Sequence, residues 1–214
     1  MIEEQTIFKF SELPEGAKRT AREHYTSGDY PGYDWWDYTY EDFQRICAIM
    51  GVDIAESVRK TVSGKEVREP KIYFSGFSRQ GDGASFEAYY SYRPEAVAEL
   101  KEYCNDVELH RINEGLVLLQ ITRRLKGLDH FSASVTTGQG YRHSGMIDAD
   151  LHVNDEDEDY VETEQVQKEF TQLMRDLADW LYKTLEAEYD YLCSDEYVDE
   201  RLEDDTFDEN GVVI

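Results

Sequence analysis

Positive charge is what this sequence has least of. Its 214 residues carry 22 Lys and Arg against 47 Asp and Glu, a formal net charge of −25, far beyond the magnitude of about 2 to 8 that keeps a small domain in solution. Binding to nucleic-acid phosphates runs on Lys and Arg that neutralise the phosphates and release counterions, and anionic membranes attract the same residues. Neither is expected as a direct partner. Cysteine is scarce as well: Cys47, Cys104 and Cys193 form no CxxC pair, which argues against a disulfide framework and a zinc ribbon and leaves buried thiols as the plainest reading. Apolar runs reach only a few residues, as at Leu116–Leu119, so no membrane-spanning segment is expected. The start Met1-Ile2-Glu3-Glu4 lacks the form of a secretory signal. The expected location is the cytoplasm.

Apolar residues are nevertheless 40% of the chain and aromatics 13%, with 16 Tyr and 9 Phe, enough apolar area to fold, unlike disordered acidic proteins. Residues 5–10 alternate as a first strand, and Pro14 opens a short helix through Ala17, Arg22 and His24 that Gly28 should end. An aromatic-rich connection follows, with Tyr30, Tyr33, Trp35, Trp36, Tyr38 and Tyr40. Thr39 and Asp42 resemble a capping box for a helix with Phe43, Ile46, Cys47 and Met50 on one face, closed by Gly51. Strands are predicted over 57–62, 71–77 and 84–92, separated by Ser63-Gly64 and Gly81-Asp82-Gly83. Pro94 opens a helical region. Its longer part places Val107, Ile112, Leu116, Leu119 and Leu125 near one face, with Gly115 an internal weak point and Gly127 the stop. Two more strands follow over 131–136 and 147–153, the second alternating Ile147, Ala149, Leu151 and Val153 with Asp148, Asp150 and His152.

Beyond the acidic run Asp155–Asp159, the apolar positions Val166, Phe170, Leu173, Leu177, Leu181, Leu185 and Leu192 keep helical spacing for about eight turns. Ser194 reads as the N-cap of a last short helix whose Asp195 and Glu196 suit the helix dipole. The pattern predicts an α+β fold: a mainly antiparallel sheet of about 5–6 strands packed with helices, and a long amphipathic helix near the C-terminus. Residues 1–153 form the body in this reading, and 154–214 an acidic helical region on the same domain with an acidic tail.

The charge is unevenly spread. Residues 151–214 hold 22 acids and four bases, a net −18. Asp195–Glu209 alone holds nine acids and one base, which as a helix is about one charge per 3 Å, close to a single DNA strand. Asp195, Asp199 and Glu203 recur at i,i+4, and Glu196, Glu200 and Asp204 run beside them. Each like-charged i,i+4 pair costs about 0.2–0.5 kcal/mol, a cost that a solvated face does not recover. Two readings stand: a solvating tail, or a phosphate-mimicking surface for a basic groove on a protein partner. Asp155, Asp157 and Asp159 extend the candidate surface.

Other candidate chemistry is sparser. The loop Ser75–Gly83 has no Gly-Lys-Ser/Thr and precedes no helix in a GxGxxG pattern, so it is no phosphate cradle. It reads as a long turn in which Asp82 bonds local backbone, with Arg79, Gln80 and Asp82 as the possible contacts to a ligand. Against the EF-hand template the acidic run fails, because Tyr160 falls where Gly is needed and Val166 where the bidentate Glu is needed. Asp148, Asp150 and His152 on one strand face are the candidate metal ligands, against the plainer reading of a wet sheet face. No GxSxG elbow is present. Acidic residues interleave the aromatic segment, so base stacking lacks its electrostatic half and packing or a protein interface fits better. No cofactor is expected.

The loop Gly76–Phe86, with Leu185-Glu186-Ala187-Glu188-Tyr189-Asp190-Tyr191-Leu192 and Ser194-Asp195-Glu196, resembles a group of small acidic proteins of phages and prophages, some of them described as antitoxins of toxin–antitoxin systems. The resemblance runs from about residue 35 to the C-terminus. It implies a phage accessory protein acting in a bacterial host cell, and it implies no catalytic residue. Three functions are thus in view: a non-enzymatic inhibitor whose acidic surface mimics nucleic-acid phosphates and blocks a host nucleic-acid-binding defence protein, as in anti-restriction or anti-CRISPR action; an antitoxin-like protein that neutralises a toxin through its Tyr/Trp-rich surface; or a metal-dependent enzyme or small-molecule binder using Asp148, Asp150 and His152.

Overall fold

The computed structural model describes residues 6–28, 30–32, 34–61, 64–153 and 160–214, and the side chains of these except 160–163. Six helices are seen among them: α1 (Glu15–Tyr25), α2 (Asp37–Ile49), α3 (Ala96–Tyr103), α4 (Val107–Leu125), α5 (Tyr160–Leu192) and α6 (Asp195–Leu202). The strands are β1 (Phe8–Lys9), β2 (Val52–Ile54), β3 (Glu56–Lys60), β4 (Glu66–Pro70), β5 (Ile72–Ser75), β6 (Gly83–Phe86), β7 (Ala88–Tyr90), β8 (Ser132–Thr137), β9 (Ile147–His152) and β10 (Thr206–Phe207). All strand pairs are antiparallel. The fold is α+β. Its contacts group residues 1–37 with 185–214 in one compact unit and 38–184 in a second, so the division falls inside α5, whereas the sequence reading kept 154–214 with the body as one domain.

In the larger unit, β2-β7-β8-β9 form a four-stranded sheet, while β3-β4 and β5-β6 are separate ribbons. The sequence led to one sheet of five or six strands; the difference lies at three residues. Three extended segments, 52–60, 66–75 and 83–90, each change partner midway. At the change, the Ala55 N–H donates to the Glu87 carbonyl (2.8 Å), the Glu87 N–H to the Lys71 carbonyl (3.0 Å), and the Lys71 N–H to the Ala55 carbonyl (2.8 Å). The closed triangle satisfies the backbone groups where three ribbons part, as buried or half-buried backbone requires. The Lys71 ammonium adds a 2.7 Å ion pair to Glu87, which raises the Lys71 pKa, chiefly through that hydrogen bond.

The sheet alternates as one wet and one dry face predict. Val52, Ala88, Tyr90, Ala133, Val135, Ile147 and Ala149 are buried, while Asp148, Asp150 and His152 point to solvent. The dry face meets α5, which at 33 residues is about 50 Å long and within this unit buries Val166, Phe170, Met174, Leu177, Ala178 and Leu181. Tyr90, Phe131 and Phe170 pack on one another in tilted and edge-on contacts with centroids 5.0–5.7 Å apart. Helix α4 crosses α5 closely at Gly115, where a Cβ would lie 2.9 Å from Leu173 Cδ2. Gly115 is thus a packing contact rather than a weak point.

Two sequence expectations change here. Thr39 sits inside α2, which starts at Asp37, so Thr39 and Asp42 form no capping box. In α4 the buried face is Leu109, Ile112, Leu116 and Leu119 with the polar Asn113, Gln120 and Arg123, while Val107 and Leu125 are 83% and 84% exposed. The polar members earn burial through backbone contacts: Gln120 donates to the Phe131 carbonyl (2.8 Å) and accepts from its N–H (3.1 Å), and Asn113 donates to the Ala96 carbonyl (2.9 Å). Side-chain amides that replace missing strand or helix partners are a stable way to bury polarity. No helix among the described residues is long and apolar enough to cross a membrane.

Candidate functional site

The smaller unit carries the acidic C-terminal segment. Ser194 caps α6 by accepting the Tyr197 N–H at 3.2 Å, as its sequence position predicts. Val198 and Leu202, one turn apart, are buried with Phe207 against Phe10, Leu13, Ala17 and Ala21. β10 pairs with β1 through Phe8↔Phe207 and Lys9↔Thr206, and the Lys9 ammonium donates to the Asp204 carbonyl at 2.9 Å. The turn beyond β10 is closed by Asp208, whose carboxylate accepts the N–H groups of Asn210 and Val212, each at 2.9 Å. Those bonds, Val212 first, hold its carboxyl below the usual range. Gly211, at φ +86°, lies where a Cβ would be 2.1 Å from the Ala17 carbonyl. The nine-acid stretch is therefore folded and docked, with an apolar seam beneath it.

The two columns of carboxylates face different surroundings. Arg22 of α1 reaches Asp199 through Nε–Oδ1 (2.5 Å) and Nη2–Oδ2 (2.7 Å) and lies 3.4 Å from Asp195 through Nη1. Arg22 thus neutralises Asp199, which is half-buried, and shares its charge with Asp195, whose side chain stays 79% exposed, and this offsets the like-charge cost of their spacing. Glu196, Glu200, Glu203 and Asp204 are exposed. The surface on offer is this second column with Glu203 and the outer side of Asp195; of the six-residue stripe read from the sequence, Asp199 alone is half-buried, against Arg22. Arg22 has no signal in the sequence that could have found it, because its partner is 177 residues away.

Asp82 accepts the N–H groups of Ser78 (3.0 Å) and Arg79 (2.7 Å), and these bonds, Arg79 first, lower its carboxyl pKa. It is a turn residue. Arg79 and Gln80 are exposed on that turn. Asp148, Asp150 and His152 occupy alternate positions of β9, about 7 Å apart, and project side by side. Asp148 accepts the N–H of its own neighbour Ala149, and His152 Nε2 lies 2.7 Å from Ser134 Oγ with its ring stacked on Tyr89. Among the described residues no three His, Cys, Asp or Glu side chains converge as a metal site would need. A flat strand cannot bring them together.

In the aromatic segment, Trp35 packs on Tyr189 and Trp36 (5.5 and 5.7 Å), and the Tyr30 hydroxyl donates to the Leu192 carbonyl at 2.6 Å. Burial pushes the Tyr30 pKa up to about 12. Tyr30, Trp35 and Trp36 thus pack within the smaller unit; in the larger unit Tyr40 packs edge-on to Phe74, while Tyr38 is 85% exposed. Asp155, Asp157 and Asp159 lie outside the described residues. The cysteines are unpaired, with Cys47 buried and Cys193 exposed; burial raises the Cys47 thiol pKa well above its ordinary value.

No curated protein and no solved structure matches the chain. A family model does, over residues 35–195. The match takes in the whole of the larger unit and stops at the start of α6, so Glu196, Glu200, Glu203 and Asp204 lie beyond it. Since the matched stretch is about three quarters of the sequence, the chain belongs to the family described as Domain of unknown function (DUF8835).

Proposed function

We propose that this chain is a non-enzymatic binding protein whose acidic C-terminal face occupies a basic, nucleic-acid-binding groove on a partner protein and so blocks it. The observation that carries the reading is that the acidic stretch is anchored: Val198, Leu202 and Phe207 are buried under it, Ser194 caps it, and Arg22 clasps Asp199 while reaching the exposed Asp195. A solvating tail has no need of an apolar seam. Glu196 and Glu200 lie one turn apart on α6, about 6 Å along its axis, and Glu203 and Asp204 follow in the turn beyond the helix end at Leu202. Carboxylates held in a row at that spacing present a patterned negative surface to Lys and Arg that would otherwise take phosphates. The resemblance to acidic phage proteins points to a host nucleic-acid-binding enzyme as the kind of partner.

The test is retention of a partner from bacterial lysate on immobilised protein. Wild type should hold a basic nucleic-acid-binding protein that duplex DNA or high salt releases. The variant with Glu196→Gln, Glu200→Gln, Glu203→Gln and Asp204→Asn should lose it while keeping its circular dichroism. Equal retention by that variant, or retention indifferent to salt and DNA, overturns the reading.

A further inference from the structure

The exposed side of α4 carries apolar residues in a pattern that surface scatter does not explain. Val107, Leu118, Ile121 and Leu125 are 83%, 62%, 43% and 84% exposed. With Arg111 and Glu114 between them, the positions 107, 111, 114, 118, 121 and 125 advance by four, three, four, three and four residues, which is the seam spacing of a two-stranded coiled coil. Single exposed apolar side chains are ordinary, whereas a row of them along one helix face marks an interaction surface. The opposite side of the same helix already supplies the core through Leu109, Ile112, Leu116 and Leu119. The helix is therefore apolar on two sides, and intramolecular packing uses one.

Charge identifies the occupant. The chain as a whole is at −25, yet residues 96–128 hold five acids and five bases. This is a stretch where two copies can approach without the self-repulsion that the net charge imposes elsewhere. The charges are also biased along α4: Glu108 and Glu114 flank Arg111 in its first half, while Arg124 in its last turn and Lys126 just past it have no acid between them; Glu114 pairs with Lys101 and Arg124 with Asp129, each at 3.1 Å, exposed ion pairs that a second copy can exchange. A second α4 laid antiparallel sets the acidic half of each helix against the basic half of the other, and a two-fold axis repeats both contacts. A parallel pair would oppose like with like. Placing Leu118 opposite Ile121 of the second copy brings Glu114 level with Leu125, beside Arg124 and Lys126.

We propose that α4 is a self-association surface, and that two copies of the chain pair antiparallel along the seam centred on Leu118 and Ile121. The paired stretch from Glu114 to Leu125 is about 17 Å long. An interface that short is at the small end of specific contacts, so the dimer dissociates on dilution.

Sedimentation or light scattering across a dilution series tests it on the full-length protein. Wild type should shift from dimer to monomer on dilution. Leu118→Glu should weaken association at least tenfold with unchanged circular dichroism and melting temperature, since Leu118 is exposed. Glu114→Lys chains and Arg124→Glu/Lys126→Glu chains should each self-associate less than wild type and pair with one another when mixed. A monomer at concentrations on the order of 100 µM overturns the proposal and leaves the stripe to a different protein; a dimer indifferent to Leu118→Glu overturns it equally. Neither result touches the acidic face of α6, which is tested separately by its own variants.

Discussion

Arg22 holds Asp199 by a two-pronged contact, Nε to Oδ1 at 2.5 Å and Nη2 to Oδ2 at 2.7 Å, while its third nitrogen faces Asp195 at 3.4 Å. The guanidinium also lies over the Phe10 ring, 5.7 Å from its centroid. One cation of α1 thereby stabilises an i,i+4 pair of acids on α6 that would repel each other in isolation. The hydrogen bond to Asp199 in turn raises the Arg22 pKa.

Replacing Arg22 is expected to cost more than replacing either acid. Arg22→Met leaves the half-buried Asp199 without its partner and one turn from the like-charged Asp195, and the loss should be about 1–2 kcal/mol after allowing for partial solvent screening. Asp199→Asn keeps one acceptor and removes a charge, so it should cost about half as much. Arg22→Lys should not restore wild type, because a lysine cannot make the two-pronged contact. Urea unfolding of the three variants, repeated at high salt where the Arg22→Met penalty should shrink, checks the order.

Asp106 makes stability depend on acid. Burial pushes its carboxyl up, but hydrogen bonds from the Leu109 N–H, the Trp180 indole and the Glu108 N–H outweigh that and lower its pKa below the ordinary 3.8. A lowered folded-state pKa means stability that is present above about pH 4 and lost as pH falls through the folded value. Asp106→Ala removes the cap of α4 and the acceptor for Trp180 Nε1 (3.1 Å) and should cost about 1–3 kcal/mol. Part of the acid-induced loss should vanish in that variant. Comparing melting temperatures at pH 3 and pH 6 for the two proteins checks it.

Gly51 and Gly127 separate backbone strain from collision. Both sit at positive φ, +80° and +83°. A Cβ on Gly127 meets nothing within 4 Å, whereas one on Gly51 would lie 2.1 Å from the Ser91 carbonyl oxygen. That oxygen belongs to the chain immediately after β7, whose Ser91 N–H bonds the Gly51 carbonyl at 2.9 Å. Gly127→Ala should cost about 1–2 kcal/mol, the left-handed penalty alone. Gly51→Ala should cost clearly more and loosen the β2–β7 pairing, visible as faster amide exchange there.

Where one element has one wet face, the sequence was sufficient. The alternation of Ile147, Ala149 and Leu151 with Asp148, Asp150 and His152 predicted β9 and its orientation, and the helical spacing from Val166 to Leu185 predicted α5. Both follow from local periodicity, which burial on one side imposes. α4 was less legible because it is apolar on two sides, so its period names no single face. Val107 and Leu125 were read as core for that reason, and the buried Gln120 and Asn113 could not be foreseen, since their partners at Phe131 and Ala96 are set by tertiary contacts. The candidate site was half legible: the spacing of the acids is a sequence fact, while the pairing of Asp199 and Asp195 with Arg22 is not.

Composition and spacing alone determined the α+β class, the long helix, the concentration of charge after residue 150 and the cap at Ser194, because each depends on neighbours within a few residues. Only the tertiary structure decided that three extended segments exchange partners at Ala55, Lys71 and Glu87, that the metal candidates on β9 stand apart, and that Arg22 clasps Asp199 and leaves the other acids of the stripe exposed. Those outcomes depend on groups far apart in the chain meeting at hydrogen-bond distance, and sequence spacing carries no record of that distance.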